Sequence, residues 1–163
     1  EKLPPWQGGG EMISTVSFEK TTYNELPFKF EAGTPNYIDT IALGKAFDFI
    51  TRIGVENIHR YEDELLQYAT RAIEQFKNVN IIGRAKQKSS VLAFTVDNVH
   101  PYDVGVLLDK TGIAVRTGNH CTQPLHDWFG ITGTVRASFA MYNTKEEIDF
   151  FIEKLEMVLA MLQ

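Results

Sequence analysis

Val91-Leu92-Ala93-Phe94-Thr95-Val96 is a run of apolar and β-branched residues, and it predicts a largely buried β-strand. A similar run lies at 79–82, and the polar link from 84 to 90 predicts a hairpin between the two. Further strands are expected at 113–115 and 134–140. In the last of these, alternation places Val135 on one face and Arg136 on the other.

Segments with helical periodicity lie before, between and after these strands. Apolar residues at helical spacing predict helices over 35–53, 58–76, 101–108 and 144–162, with a short helical turn after 124. Gly54 ends the first helix, and Thr144 with Glu147 forms a capping box for the last. Before residue 35, short strands are expected at 12–18 and 26–30. This order of elements predicts an α+β fold, a small, mostly antiparallel sheet with helices packed on one face.

Composition limits the classes of function. The 163 residues carry 16 Lys and Arg against 21 Asp and Glu, and the net charge of −5 argues against a nucleic-acid partner. No apolar stretch approaches the roughly 18 residues of a membrane span, so no membrane partner is expected. The single cysteine excludes an intrachain disulfide and fits a cytoplasmic location.

Cys121 is the first candidate for chemistry. It follows Arg116-Thr117-Gly118-Asn119-His120 in a loop between two predicted strands. Cationic neighbours such as Arg116 and His120 stabilise a thiolate and make it a better nucleophile. The alternative is a small buried apolar side chain, which is the common state of a lone cysteine.

Arg136 is the second candidate, because a guanidinium on a strand beside a cleft can hold a carboxylate through two parallel hydrogen bonds. The alternative is an arginine that faces solvent or forms a salt bridge. The remaining histidines, His59, His100 and His126, have no metal-ligand spacing and are interpreted as structural.

Two glycine-containing segments could approach a ligand. Thr34-Pro35 is interpreted as the N-cap and first residue of a helix, whose unpaired N–H groups suit an anion, although plain capping is the commoner role. Gly8-Gly9-Gly10 could let the backbone come close to a ligand, although three glycines more often form a flexible turn.

Four segments, taken in order, resemble a known family. They are 4–13 (Pro-Pro-Trp-Gln-Gly-Gly-Gly-Glu-Met-Ile), 30–36 (Phe-Glu-Ala-Gly-Thr-Pro-Asn), 114–121 (Ala-Val-Arg-Thr-Gly-Asn-His-Cys) and 135–144 (Val-Arg-Ala-Ser-Phe-Ala-Met-Tyr-Asn-Thr). The chain is similar to the C-terminal part of a cysteine desulfurase of the SUF iron–sulfur assembly type, close to bacterial selenocysteine lyases. These belong to the fold-type-I, class V aminotransferase group, which uses pyridoxal 5′-phosphate.

The resemblance implies roles for individual residues. Cys121 matches the nucleophile that takes sulfur from L-cysteine as a persulfide and leaves alanine. Arg136 matches the arginine that holds the substrate α-carboxylate, and Arg116 and His120 match polar residues lining the cleft. Asn119 departs from the pattern, in which a second histidine is common, so no role is assigned to a histidine pair.

Cofactor contacts are implied for the first part of the chain. Thr34 matches a threonine that reaches the cofactor phosphate of the other subunit in a homodimer. Gly9 and Gly10 match a glycine segment bordering the partner's active site. Residues 1–35 are therefore expected to be a remnant of the cofactor domain and dimer interface, and residues 36–163 the C-terminal small domain.

The cofactor-binding lysine of the family has no matching motif among the ten lysines here. The chain is therefore expected to be a fragment that binds no pyridoxal phosphate and is inactive alone. Residues 1–30 are expected to be poorly ordered, domain-swapped or packed on a neighbouring chain.

Several alternatives stay open. L-Cysteine and L-selenocysteine are both compatible substrates, and the expected protein partner is a SUF sulfur acceptor. Without the lysine, the chain could instead be a non-catalytic binding or dimerisation module that docks such an acceptor. A thiol-based redox sensor would depend on Cys121 alone.

Overall fold

The computed structural model describes residues 2–162, and the chain divides into two units, Glu1–Arg52 and Ile53–Gln163. The first unit contains a two-stranded antiparallel hairpin, a 3-10 turn and most of a long helix. Its elements are β1 (Ile13–Val16), β2 (Thr21–Tyr23), the 3-10 turn (Phe28–Phe30) and α1 (Tyr37–Ile53).

The strand expected at 26–30 is wrong. The partner of β1 is β2, and residues 28–30 form the 3-10 turn, with Phe30 N–H donating to the Pro27 carbonyl oxygen (3.1 Å). Pro27 has no N–H to give to a strand ladder, and its fixed φ suits the start of a turn.

The N-cap of α1 is Asn36 and not Thr34, so that expectation is also wrong. The Asn36 side-chain oxygen accepts from the Asp39 N–H (3.2 Å), three residues along, as an N-cap does. Thr34 is exposed and lies before the cap. At the other end, the expected stop is confirmed, since α1 ends at Ile53 and Gly54 has φ 91°.

The first unit buries very little apolar surface. Met12 is its one buried hydrophobic side chain among the described residues, and no residue of α1 is buried. Phe18 is fully exposed and Phe47 is 61% exposed. The ordering or docking expected of residues 1–30, and the domain boundary expected at residue 35, stay predictions.

The second unit is built around a four-stranded sheet with the order β3-β4-β6-β5, in which every neighbouring pair is antiparallel. The α+β fold is thus confirmed. The elements are α2 (Val55–Ile73), β3 (Val79–Ile82), β4 (Val91–Val96), α3 (Pro101–Asp109), β5 (Arg116–Gly118), α4 (Gln123–Phe129), β6 (Thr134–Ser138) and α5 (Lys145–Leu162).

One face of this sheet is the core. Leu92, Phe94 and Val96 alternate with half-buried residues along β4, and Val135 and Ala137 do the same on β6. Three helices cover this inner face through buried apolar side chains: Leu65, Leu66, Ala69 and Ile73 of α2, Val104 and Leu108 of α3, and Ile148, Phe151, Leu155, Val158 and Leu159 of α5.

The capping box of α5 is confirmed. Glu147 N–H donates to Thr144 Oγ1 (3.2 Å), and Thr144 N–H donates back to Glu147 Oε2 (3.1 Å). These two bonds satisfy N–H groups at the helix start. The pKa of Glu147 lies below its ordinary value because the Asn143 amide, which contributes most, and the Thr144 N–H both donate to its carboxylate.

The strand expected at 113–115 is displaced along the chain, because β5 begins at Arg116. The backbone at Ile113 instead closes the end of α3, with its N–H donating to the Leu108 carbonyl oxygen (3.1 Å). Ile113 and Val115 pack against the core as loop residues. As a result, Arg116 is the first residue of β5.

Candidate active site

Arginine side chains mark the face of the sheet opposite the core, here called the outer face. Register pairs Ile82 with Ala93, Ala93 with Arg136, and Arg136 with Arg116, so these four residues form one row across the sheet. Val135 and Ala137 on either side of Arg136 are buried in the core. Alternation therefore points Arg136 outward, as the sequence predicts.

Two positive charges thus lie on directly opposed residues of neighbouring strands. Like charges in such pairs destabilise a sheet. In addition, Arg136 Nε is buried and has no hydrogen-bond partner among residues 2–162. A carboxylate would supply both the counter-charge and the missing acceptor, because a guanidinium binds it through two parallel hydrogen bonds.

Cys121 lies at the tip of a tight turn that follows β5. Thr122 N–H donates to the Asn119 carbonyl oxygen (2.8 Å), and the two residues between them have positive φ, 51° for His120 and 63° for Cys121. Positive φ at both central residues is typical of a type I′ turn, which usually contains Gly or Asn there. Cys121 is exposed, so the alternative of a buried cysteine is excluded.

His120 points from this turn towards β6. Its Nε2 lies 2.9 Å from Thr134 Oγ1 and 3.3 Å from the Thr134 carbonyl oxygen, while its Nδ1 is buried without a partner among the described residues. Desolvation lowers the pKa of His120, and the positive charge of Arg136 lowers it further. Both effects favour the neutral imidazole.

A cavity of about 220 Å³ is lined by both His120 and Arg136. Its lining includes Ala93, His120, Thr122, Thr134 and Arg136, together with apolar residues of α4. Cys121 follows His120 directly in the chain, but neither Cys121 nor Arg116 is a lining residue of this cavity. The structure thus brings His120 and Arg136 to one cavity, places Arg116 opposite Arg136 on β5, and puts Cys121 on the turn that follows β5.

Sequence reasoning missed two residues of this site. Thr134 is buried and holds the His120 ring, and Ala93 leaves room beside Arg136 because its side chain is small. The alternation of residues along β4 could have identified Ala93 as a residue of the outer face. For His126, the structural interpretation agrees with its burial and with the 3.1 Å contact from its Nδ1 to the Thr122 carbonyl oxygen.

Gly9, Gly10 and Thr34 lie in the first unit, where the two glycine-containing segments meet. Gly33 N–H donates to the Gly10 carbonyl oxygen (2.9 Å). A Cβ at Gly9 would come within 3.2 Å of the Ala32 Cβ and the Gly33 nitrogen. Glycine at position 9 therefore allows the backbones to pack closely, and exposed Thr34 follows directly after this contact.

The described residues contain neither a candidate metal site nor a candidate membrane-spanning helix. Within residues 2–162, no group of three or more His, Cys, Asp or Glu side chains could hold a metal ion. Over the same range, no helix is both long and apolar enough to cross a membrane.

Comparison with known proteins identifies the family. The model of the class-V aminotransferases matches residues 1–151. The chain belongs to the class-V aminotransferase family. This agrees with the resemblance drawn from the four sequence segments, which covers the same length of chain.

Individual relatives and solved structures agree with this assignment. The chain is 48% identical over 156 residues to a cysteine desulfurase of Salmonella agona and 46% identical over 159 residues to a probable cysteine desulfurase of Synechocystis. The matches cover 95% and 96% of this chain. It superposes on the crystal structure of the cysteine desulfurase CsdA from Escherichia coli with a TM-score of 0.90, at 38% identity and over 98% of this chain.

The chain spans only part of these proteins. It covers 38% of the length of the two relatives and 40% of the Escherichia coli chain. The activity of the whole protein is therefore treated below as a proposal.

Proposed function

We propose that this chain is the C-terminal part of a cysteine desulfurase, which converts L-cysteine to L-alanine and keeps the sulfur as a persulfide on Cys121. One observation carries the proposal: an exposed thiol lies on a left-handed turn directly after His120, which lines the same cavity as Arg136. The names of the two similar relatives support the same activity.

Arg136 binds the α-carboxylate of the substrate in this proposal. Its buried, unpartnered Nε supports the assignment, since a carboxylate would complete its hydrogen bonding. Arg116 adds a second positive charge from the opposed residue of β5. Neutral His120 lines the same cavity, where its Nδ1 can accept a proton or a hydrogen bond from the bound amino acid.

Cys121 is the sulfur acceptor. Cys121 Sγ attacks the substrate's sulfur and forms a sulfur–sulfur bond, while the bond between that sulfur and the β-carbon breaks and leaves its electron pair with the carbon skeleton. The β-carbon takes up a proton, and the skeleton is released as alanine. An exposed turn suits this role, because the same sulfur must afterwards meet a second acceptor. We propose that this acceptor is a protein of the SUF system, that the sulfur serves iron–sulfur cluster assembly, and that the enzyme is cytoplasmic.

Pyridoxal 5′-phosphate, which the family implies, would supply the electron sink for breaking the carbon–sulfur bond. The residues fit this cofactor in part. Gly9, Gly10 and Thr34 offer closely packed backbone and a hydroxyl for its phosphate, and we propose that they serve the partner subunit of a homodimer. Among the described residues, no lysine lines the Arg136 cavity. We therefore expect the isolated chain to be inactive and to bind no cofactor.

Two alternatives differ from this function. L-Selenocysteine would fit the same carboxylate and thiol chemistry, so the enzyme could be a selenocysteine lyase. A non-catalytic module for dimerisation or acceptor docking is favoured by α1, whose apolar side chains are all unburied. The experiment below separates the enzyme from the module.

The test uses the full-length protein with its cofactor and measures alanine formed from L-cysteine. Cys121→Ser should abolish alanine formation while leaving L-cysteine binding close to normal. Arg136→Gln should weaken that binding by about tenfold or more, the value of a lost charged hydrogen bond. Ser138→Ala, an exposed change on the same strand, is the control and should behave as wild type. Normal alanine formation by Cys121→Ser would refute the proposal.

A further inference from the structure

A second cavity, of about 290 Å³, lies in the second unit between α2 and the loop that follows β3. It shares no lining residue with the Arg136 cavity. Its lining is unusually rich in positive charge for a chain with a net charge of −5. The charged and amide side chains that line it are Asp63, Gln67, Arg71, Arg84, Lys86 and Lys88.

Most of this positive charge is uncompensated. Arg84 pairs with Glu74, with Nη1 2.6 Å from Oε1. Within residues 2–162, no ion pair to Arg71, Lys86 or Lys88 is found. The carboxylate of Asp63, the only acid in the lining, accepts a hydrogen bond from the Gln67 amide (2.6 Å).

Among the four cations that line this cavity, Lys88 is the one that is not exposed. Its side chain is partly buried, and its ammonium group donates to the Gly83 carbonyl oxygen (3.1 Å), which carries no formal charge. Burial lowers the pKa of Lys88, and the positive charge of Arg84 lowers it further. A half-buried cation beside other cations is stabilised when an anion occupies the space between them.

We propose that this cavity binds a small organic phosphate ester. Arginine offers planar paired donors that match phosphate oxygens, and lysine adds compact positive charge. Arg71, Arg84, Lys86 and Lys88 supply both kinds of group around one concave space. A volume of about 290 Å³ is at the small end of ligand pockets and suits a phosphate with a few carbon atoms.

The test measures thermal stability of the chain with added glycerol 1-phosphate, using sodium chloride to hold ionic strength constant. Glycerol 1-phosphate should raise the Tm of the wild-type chain and bind at least as tightly as inorganic phosphate. Lys88→Met should raise the Tm without ligand, because repulsion is relieved, and should weaken binding about tenfold. Lys77→Met removes an equal charge from an exposed residue outside the lining and should leave the response unchanged.

Three results would overturn the proposal. They are no stabilisation beyond that of sodium chloride, binding of inorganic phosphate but not of the ester, and equal loss of response in Lys77→Met and Lys88→Met. If Lys88→Met does not fold, as judged by circular dichroism, Arg71→Met decides the question by the same measurement. A wild-type response in Arg71→Met would then refute the site.

Discussion

Replacing Arg136 with methionine should stabilise the isolated chain against unfolding. In the structure, Arg136 Nε is buried without an acceptor, and the opposed residue on β5 is Arg116. A buried unsatisfied donor costs about 1–3 kcal/mol. An opposed pair of like charges adds about 0.2–1 kcal/mol. Methionine keeps an unbranched apolar stem in the cavity and removes both unfavourable contributions.

We therefore expect the Arg136→Met change to raise the free energy of unfolding by about 1–2 kcal/mol, since Arg136 is only partly buried. Urea unfolding followed by far-ultraviolet circular dichroism measures this change. With a denaturant slope of about 2 kcal/mol per molar, the midpoint should rise by roughly 0.5–1 M. Arg60→Met, which removes an exposed arginine from α2, is the control and should change stability by less than about 0.5 kcal/mol.

The reasoning would be refuted if Arg136→Met left the midpoint unchanged or lowered it. Either result would mean that the guanidinium is satisfied within the chain and is not held ready for an anion. High salt offers a second check, because screening weakens charge repulsion. The gain from the substitution should therefore shrink, but not vanish, in 1 M sodium chloride.

Three further predictions concern single residues of the second unit. Because the pKa of His120 is lowered in the folded chain, the unfolded chain binds more protons below about pH 6.5, so stability should fall as pH drops through that value. In His120→Asn this fall should be smaller, as measured by urea unfolding at pH 5 and pH 8. Thr144→Ala removes the N-cap of α5 and should lower stability by about 1 kcal/mol in the same assay. Gly133→Ala places a Cβ about 3.0 Å from the Gly118 backbone at φ 147°, and it should lower the Tm by several degrees.

Sequence reasoning succeeded where the signal is local. The alternation along 134–140 put Arg136 on the outer face, and the spacing of Thr144 and Glu147 gave the start of α5. In each case the local pattern determines the structure, because a strand that packs on one face buries every second residue and a capping box joins residues three apart. The α+β architecture followed from the order of such elements.

Sequence reasoning failed where local patterns compete. Ile113 and Val115 are apolar enough for a strand, but the Ile113 N–H donates to the Leu108 carbonyl oxygen at the end of α3, and strand pairing starts at Arg116. Likewise, Thr34 and Asn36 are both good N-caps, and only the folded backbone selects Asn36.

Long-range contacts of the site could not be predicted at all. The bond between His120 and Thr134 joins residues 14 apart, and the opposition of Arg116 to Arg136 depends on strand register. Neither contact can be recognised from the types of the residues that make it. Register is set by the whole buried face of the sheet, which packs against residues from three helices.

The most direct test of the proposed function is mass spectrometry of the full-length protein after brief reaction with L-cysteine. The account predicts one added sulfur atom on the peptide that contains Cys121, removable by a thiol reductant and absent from Cys121→Ser. Alanine formation accompanied by added sulfur on a different cysteine, or on none, would contradict the account.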